Sequence, residues 1–316
     1  MTTTDFAKEL KSLKSAVIFC HVRPDGDTLS CAFALYYAFT KLGKPCMVVT
    51  EEPLISRHKD WVPFEPSNVP DQSYDGFICV DTPTLQLLGK NSQQFMKHKK
   101  RFLIDHHPGR DYDFVNKYYF DLKPACTMPC YDIIKQMGVE IDKNVATLIL
   151  TGLMTDTDNF SIQGLGEDVF ELVAELIRLG ANHSQIYDQQ FRNTEKQKAQ
   201  LFGRALQKIK YFHNDKLAII TTTCKDLEEC NADQSMTLGF VEYLLTIKSV
   251  DVAVSLLEAK NGMYRASFRS KSANVSQIAQ IYGGGGHEKA SGAVLFGYYE
   301  DIIDKLVFDI GNYLLW

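Results

Sequence analysis

Seven consecutive residues, HVRPDGD from His21 to Asp27, place one imidazole and two carboxylates (Asp25 and Asp27) within reach of a single loop. VDTP adds Asp81, IDHHPG adds Asp105, His106 and His107, and LMTDTDNF adds Asp156. Carboxylates with imidazoles form the ligand set of oxygen-preferring divalent cations such as manganese and magnesium. Taken alone, HVRPDGD is also what an ordinary strand-to-helix turn contains, with Asp a helix cap as readily as a ligand. Asp156 has the same second reading, because Thr155, Thr157, Asp158 and Asn159 are capping and turn residues.

What separates the two readings is where the motifs stand. AVIFC runs into His21, GFICV into Asp81, and RFLI into Asp105, His106 and His107. Short apolar runs of this composition read as buried strands, and a parallel sheet collects its ligands at the carboxyl ends of its strands. A carboxylate placed there meets a desolvation penalty unless it is paired or bound to a cation. Several at one sheet edge also repel one another, and two divalent cations carry the charge that would balance them.

The chain around these motifs alternates strands and amphipathic helices, the pattern of an α/β fold with a parallel sheet and flanking helices. A helix over 28–42 follows the first strand, and a second strand is expected at 46–50. Residues 53–75, with four prolines, read as a wandering connection. Asn193 to Phe212 reads as one long helix, capped by Asn193 or Thr194 and linking two domains. Beyond it the order changes to that of a smaller mixed α+β domain. The expected boundaries are a first domain at 1–190, a helical linker at 191–213 and a second domain at 214–316.

In that second part Arg269 and Lys271 end a strand, and Gly283 to Gly286 precede His287 and Lys289. A glycine run is most often a flexible turn, but here it can present backbone N–H groups to a phosphate. Arg269 offers a planar fork for the same anion, and His287 a hydrogen bond or a stacking face. The substrate-binding candidates are therefore Arg269, Gly284, Gly285, Gly286 and His287.

The 316 residues are 45% hydrophobic and 23% charged, enough for two ordinary cores. A formal net charge of −5 argues against a sequence-independent binder of long nucleic acid, which needs a broad basic surface. The opening MTTTDFAKEL lacks the pattern of a secretory leader, and no apolar stretch is long enough to span a bilayer, so a cytoplasmic protein with no membrane partner is expected. The eight cysteines read as reduced core thiols. His58, His98, His183 and His213 lie in polar contexts and are expected at the surface.

Taken in order, HVRPDGD, VDTP, IDHHPG and MTDTDNF resemble the DHH phosphoesterase superfamily. FRSKSANVSQIAQIYGGGGHEKASGA is similar to the signature of the C-terminal DHH-associated domain, type 1. The two together span nearly the whole chain, and the two-domain form is most similar to the nanoRNase/pAp-phosphatase subfamily. The resemblance implies one metal on His21, Asp25 and Asp81 and a second on Asp27, Asp81, His106 and Asp156, both most often Mn2+. It implies Asp105 as an orienting carboxylate, His107 facing the substrate phosphate, and hydrolysis by water activated between the metals. The implied substrates are short RNA oligonucleotides, cut to mononucleotides, and 3'-phosphoadenosine 5'-phosphate. The second domain would hold the terminal nucleotide.

The same catalytic residues would serve a cyclic-di-AMP or pApA phosphodiesterase, and those in the first domain a single-strand DNA exonuclease. A family II inorganic pyrophosphatase is disfavoured by its different second domain, and an inactive nucleotide sensor by the complete ligand set. Both a monomer and a homodimer are compatible with the sequence. Asp158 departs from the family pattern, where Gly is common after TDT, and Arg23 and Ser291 depart more mildly.

Overall fold

The computed structural model describes residues 1–54, 56–68, 70–108, 112–259 and 262–313, and it divides into two compact units, 1–193 and 194–316. In the first unit the strands are β1 (Ala16–Phe19), β2 (Cys46–Val49), β3 (Gly76–Val80), β4 (Arg101–Asp105) and β5 (Lys117–Phe120). Its helices are α1 (Thr3–Ser12), α2 (Gly26–Lys41), α3 (Ser56–Lys59), α4 (Ser92–Lys97), α5 (Thr127–Gln136), α6 (Lys143–Asp156), α7 (Glu167–Arg178) and α8 (His183–Phe191).

All pairs in this sheet are parallel, in the order β2-β1-β3-β4-β5. Alternate strand residues enter two cores: Ile18, Ile78 and Val80 pack with α1, α2, α5 and α6, while Phe19, Phe77 and Cys79 pack with Phe95 on the opposite face. The chain leaves β1 toward β2 and then crosses to β3 on its other side. The topological switch therefore falls between β1 and β3, where an open α/β sheet has its ligand crevice. His21 and Asp81 follow those two strands. The edge strand β5 was absent from the sequence reading because its residues alternate between half-buried and exposed, so it carries no apolar run.

The second unit holds α9 (Lys196–Leu206), β6 (Lys210–Phe212), β7 (Leu217–Thr222), α10 (Cys224–Glu229), α11 (Phe240–Leu245), β8 (Val252–Glu258), β9 (Met263–Ser270), α12 (Val275–Ile281), β10 (Gly285–His287), β11 (Ala290–Phe296) and α13 (Tyr299–Tyr313). Its sheet runs β10-β11-β9-β8-β7-β6, antiparallel except for β7 with β8.

The helix expected over 193–212 is shorter than the sequence pattern suggests. It spans Lys196–Leu206, and the cap expected at Asn193 or Thr194 falls on Glu195, which makes no side-chain cap bond. Lys210–Phe212 instead pairs with Leu217–Ile219 across a turn whose residues His213, Asn214 and Asp215 all have positive φ. Sheet pairing outcompetes local helix propensity over these residues. The glycine run also differs from a free turn, because Gly285 and Gly286 pair with Gly292 and Ser291 in an exposed edge strand.

Candidate metal centre

The strand-end residues of the first unit meet at the carboxyl edge of its sheet. His21, Asp25 and Asp81 form one group, Asp27, His106 and Asp156 a second, and Asp81, His106 and His107 a third, the ligand atoms within each lying within 4.8 Å of one another. Asp81 joins the groups: its Oδ2 is 3.7 Å from His21 Nε2, and its Oδ1 is 3.4 Å from His106 Nε2. His106 Nε2 also lies 3.6 Å from Asp156 Oδ2.

Local structure aims each group. His21 Nδ1 donates to the carbonyl of Val22 at 2.9 Å, and His106 Nδ1 to that of Lys123 at 2.8 Å. Both imidazoles thus present Nε2 inward, the tautomer a metal ligand needs. Asp25 is the N-cap of α2, accepting from the Thr28 amide at 3.0 Å through Oδ1, while its Oδ2 lies 3.9 Å from His21. The capping reading of this motif and its ligand reading therefore hold together, one oxygen to each.

Asp27, buried at the first turn of α2, accepts from the amides of Cys126 at 2.5 Å and Thr127 at 3.0 Å. Asp105 is completely buried, held by Tyr112 Oη at 2.7 Å, and accepts from His107 Nδ1 at 2.8 Å. His107 consequently has Nε2 left for a ligand.

Three contributors escaped the sequence reading. Thr28 Oγ1 donates to Asp81 Oδ2 at 2.7 Å. Gly152 of α6 faces Asp27, where an added Cβ would lie 2.7 Å from Asp27 Oδ1, and Gly26 faces Thr155 in the same way. Two missing side chains thus let α2 and α6 approach closely enough for Asp27 and Asp156 to share His106. A buried polar residue at a helix start and a glycine inside an apolar helix were the available signals.

Of the four histidines expected at the surface, His58 is buried, while His98, His183 and His213 are partly exposed and make contacts there. His98 stacks on Phe77 at 4.1 Å, and His213 bonds to the Val307 carbonyl. His183 bonds to Asn159.

Electrostatics show what the pocket lacks. Burial, then the charges of Asp81 and Asp156, push the Asp27 carboxyl well above the usual range. Burial likewise raises Asp156 to about 6, against the pull of His106. Burial alone would lower both imidazoles, yet their interactions with Asp81 hold His21 up at about 9 and His106 at about 10. Asp81, despite its burial, is held below the ordinary carboxylate range by those same histidines. The carboxyl groups of Asp27 and Asp156 are thus harder to ionise and the imidazoles easier to protonate, both signs of a pocket that favours added positive charge. Asp81 Oδ1, moreover, is buried and has no hydrogen-bond partner among the described residues. An orphaned buried carboxylate oxygen between convergent imidazoles fits a divalent cation.

In the second unit the cross-strand partners of Ala290 are Arg269 on β9 and His287 on β10. Partners share a sheet face, so Arg269 and His287 flank a small residue at about 10 Å between their Cα atoms. Arg269 Nε donates to Glu242 at 3.0 Å, and Lys271 and Lys289 are spent on backbone carbonyls. Gly284 and Gly286 are required by the close approach of β11, where a Cβ would meet the backbone of Gly292 or Ala290. A Cβ on Gly285 would meet nothing within 4 Å.

A sheet that gathers carboxylates and imidazoles at its switch point offers a ligand set for a metal ion. Two family models match the chain, "DHH family, N-terminal domain" over residues 15–153 and "DHHA1 domain" over 216–309. It is 30% identical to the "Bifunctional oligoribonuclease and PAP phosphatase NrnA" of Thermus thermophilus, across 95% of this chain and 92% of that protein. The Bacillus subtilis protein of the same description is 24% identical across 97% of each. An exopolyphosphatase-related protein from Bacteroides fragilis has the same fold, with a TM-score of 0.91 and 24% identity over 99% of this chain and 97% of that one. The chain belongs to the DHH family of phosphoesterases.

Proposed function

We propose that the protein hydrolyses short oligoribonucleotides to mononucleotides and 3'-phosphoadenosine 5'-phosphate to AMP. The observation that carries this reading is Asp81, a buried carboxylate within reach of both His21 and His106, one of whose oxygens accepts no hydrogen bond among the described residues. The relatives named for oligoribonuclease and PAP phosphatase activity, alike over almost their whole length, support the substrate class.

His21, Asp25 and Asp81 would hold one divalent cation, and Asp27, Asp81, His106 and Asp156 a second. The oxygen-rich donor set with one imidazole at each site suits Mn2+, and Mg2+ less well. Bound there, such cations supply Lewis-acid polarisation of a phosphoryl group and raise the acidity of water. The chain's own residues do the rest. Asp105, locked by Tyr112, fixes the His107 imidazole through Nδ1, so that its Nε2 donates to a phosphoryl oxygen or protonates the leaving oxygen. Arg269 and His287, with the open backbone at Gly285, take the phosphate of the terminal nucleotide. Recognition confined to these few groups accommodates short substrates on a chain of net negative charge.

The test is turnover of pAp, pApA, cyclic-di-AMP and RNA of two to five nucleotides with added Mn2+, with product identification. Release of mononucleotides from short RNA and of AMP from pAp is expected. Exclusive turnover of cyclic-di-AMP would replace this reading with the cyclic-dinucleotide one.

A further inference from the structure

Asp156 is the last helical residue of α6, and the backbone that follows it is strained. Thr157 caps the helix, and the amides of Asp158 and Asn159 return to the carbonyls of Thr155 (3.4 Å) and Met154 (2.7 Å). This bond pair is the Schellman ending, in which one left-handed residue, usually Gly, closes a helix. Here Asp158, Asn159 and Phe160 are all left-handed, with φ of 46°, 53° and 66°. Asp and Asn tolerate this region singly but Phe does not, and a run of three non-glycine residues there persists only where surroundings over-determine it.

Two contacts from outside the turn meet it. His183, at the start of α8, donates from Nε2 to Asn159 Oδ1 at 3.1 Å. Its ring also lies nearly parallel to that of Phe160, with centroids 6.4 Å apart and planes at 21°, and to that of Tyr187 one helical turn later, at 6.3 Å and 17°; Tyr187 neighbours Phe191 at 5.3 Å. Within the turn, Thr157 Oγ1 accepts from the Phe160 amide at 3.0 Å. The middle of the three left-handed residues is thus bonded to one imidazole and the last lies beside it, with an aromatic row along α8 behind.

We propose that His183 is a positioning residue that clamps the 157–160 turn and thereby fixes the carboxylate of Asp156 relative to His106. The inference rests on the metal-centre reading above. It adds that occupancy of the site holding Asp156 depends on a side chain that supplies no ligand.

Mn2+ binding by calorimetry, amide hydrogen exchange and thermal unfolding of the intact chain test it, with His183→Ala, His183→Gln and His183→Phe. Gln reproduces the Nε2 donor and Phe the stacking face. His183→Ala is expected to speed exchange at the amides of 158–160 and weaken Mn2+ binding by about tenfold, the scale of losing a residue that orients a metal ligand. His183→Gln or His183→Phe should recover part of that affinity. His183→Ala that binds Mn2+ like the wild type, whether or not its turn loosens, overturns the proposal. A wild type that takes up no Mn2+ at all would be a different failure, overturning the metal centre and this inference with it.

Discussion

Thr28 and Asp81, 53 residues apart in sequence, are joined by a buried hydrogen bond of 2.7 Å. It occupies Asp81 Oδ2 from the helix side and turns Oδ1 toward His106 and His107. Thr28→Val keeps the shape and removes the donor. We expect divalent-metal affinity to fall by about 10-fold or more and stability by about 1 kcal/mol, with Thr28→Ser restoring both. Mn2+ titration and urea unfolding of the three proteins check this, and Thr28→Val with unaltered affinity would refute it.

Gly152→Ala adds one methyl group where there is no room, against Asp27 Oδ1 and the Thr127 side chain. Overpacking of this kind costs about 1–3 kcal/mol. Because the displaced group is a proposed ligand, turnover should fall further than stability predicts. Comparison with an Ala substitution at Gly203, which has open space around it, separates the two effects.

Asp158→Gly should retain turnover and raise thermal stability, since glycine accepts the left-handed conformation without penalty. Asp81→Asn, by contrast, should lose turnover by orders of magnitude while remaining folded. Loss of activity in the Asp158 variant would show that its exposed carboxylate takes part in the reaction.

Chelation of the divalent cations should abolish binding of pAp as well as its hydrolysis, because the carboxylates then face the phosphates unscreened. Equilibrium binding of a fluorescent short RNA with and without EDTA measures this. Undiminished binding to the metal-free protein would contradict it.

Asp226 gives a pH dependence remote from the centre. Burial would raise its carboxyl, but Lys208 and then Thr223 hold it below the ordinary carboxylate range. A lowered folded value means the contribution is complete above the unfolded pKa and is lost as pH falls through the folded one. Unfolding midpoints should therefore drop from about pH 4 downward, and Asp226→Asn should flatten that part of the profile. A variant with the wild-type slope would show that other carboxylates dominate.

The convergence of His21, Asp81 and His106 was legible because each follows an apolar run that reads as a buried strand, whereas Asp156, at the end of the helix α6, was singled out mainly by the family resemblance. Gly152, Thr28 and His183 were not legible, since their partners, Asp27, Asp81 and Asn159, are distant in sequence and meet them only after packing. Local pattern also misled where the sheet decided. Residues 210–212 continue a helical period yet pair with Leu217–Ile219, and two glycines read as an anion loop are required by the approach of β11.

Asp81 itself lies in the left-handed region, with φ of 53°. Among the standard side chains, Asn and Gly are the easiest replacements in that conformation, and β-branched ones the most costly. The substitutions this backbone position accepts most readily are therefore ones that remove the carboxylate while sparing the fold, so loss of the proposed metal centre need not bring loss of the folded chain.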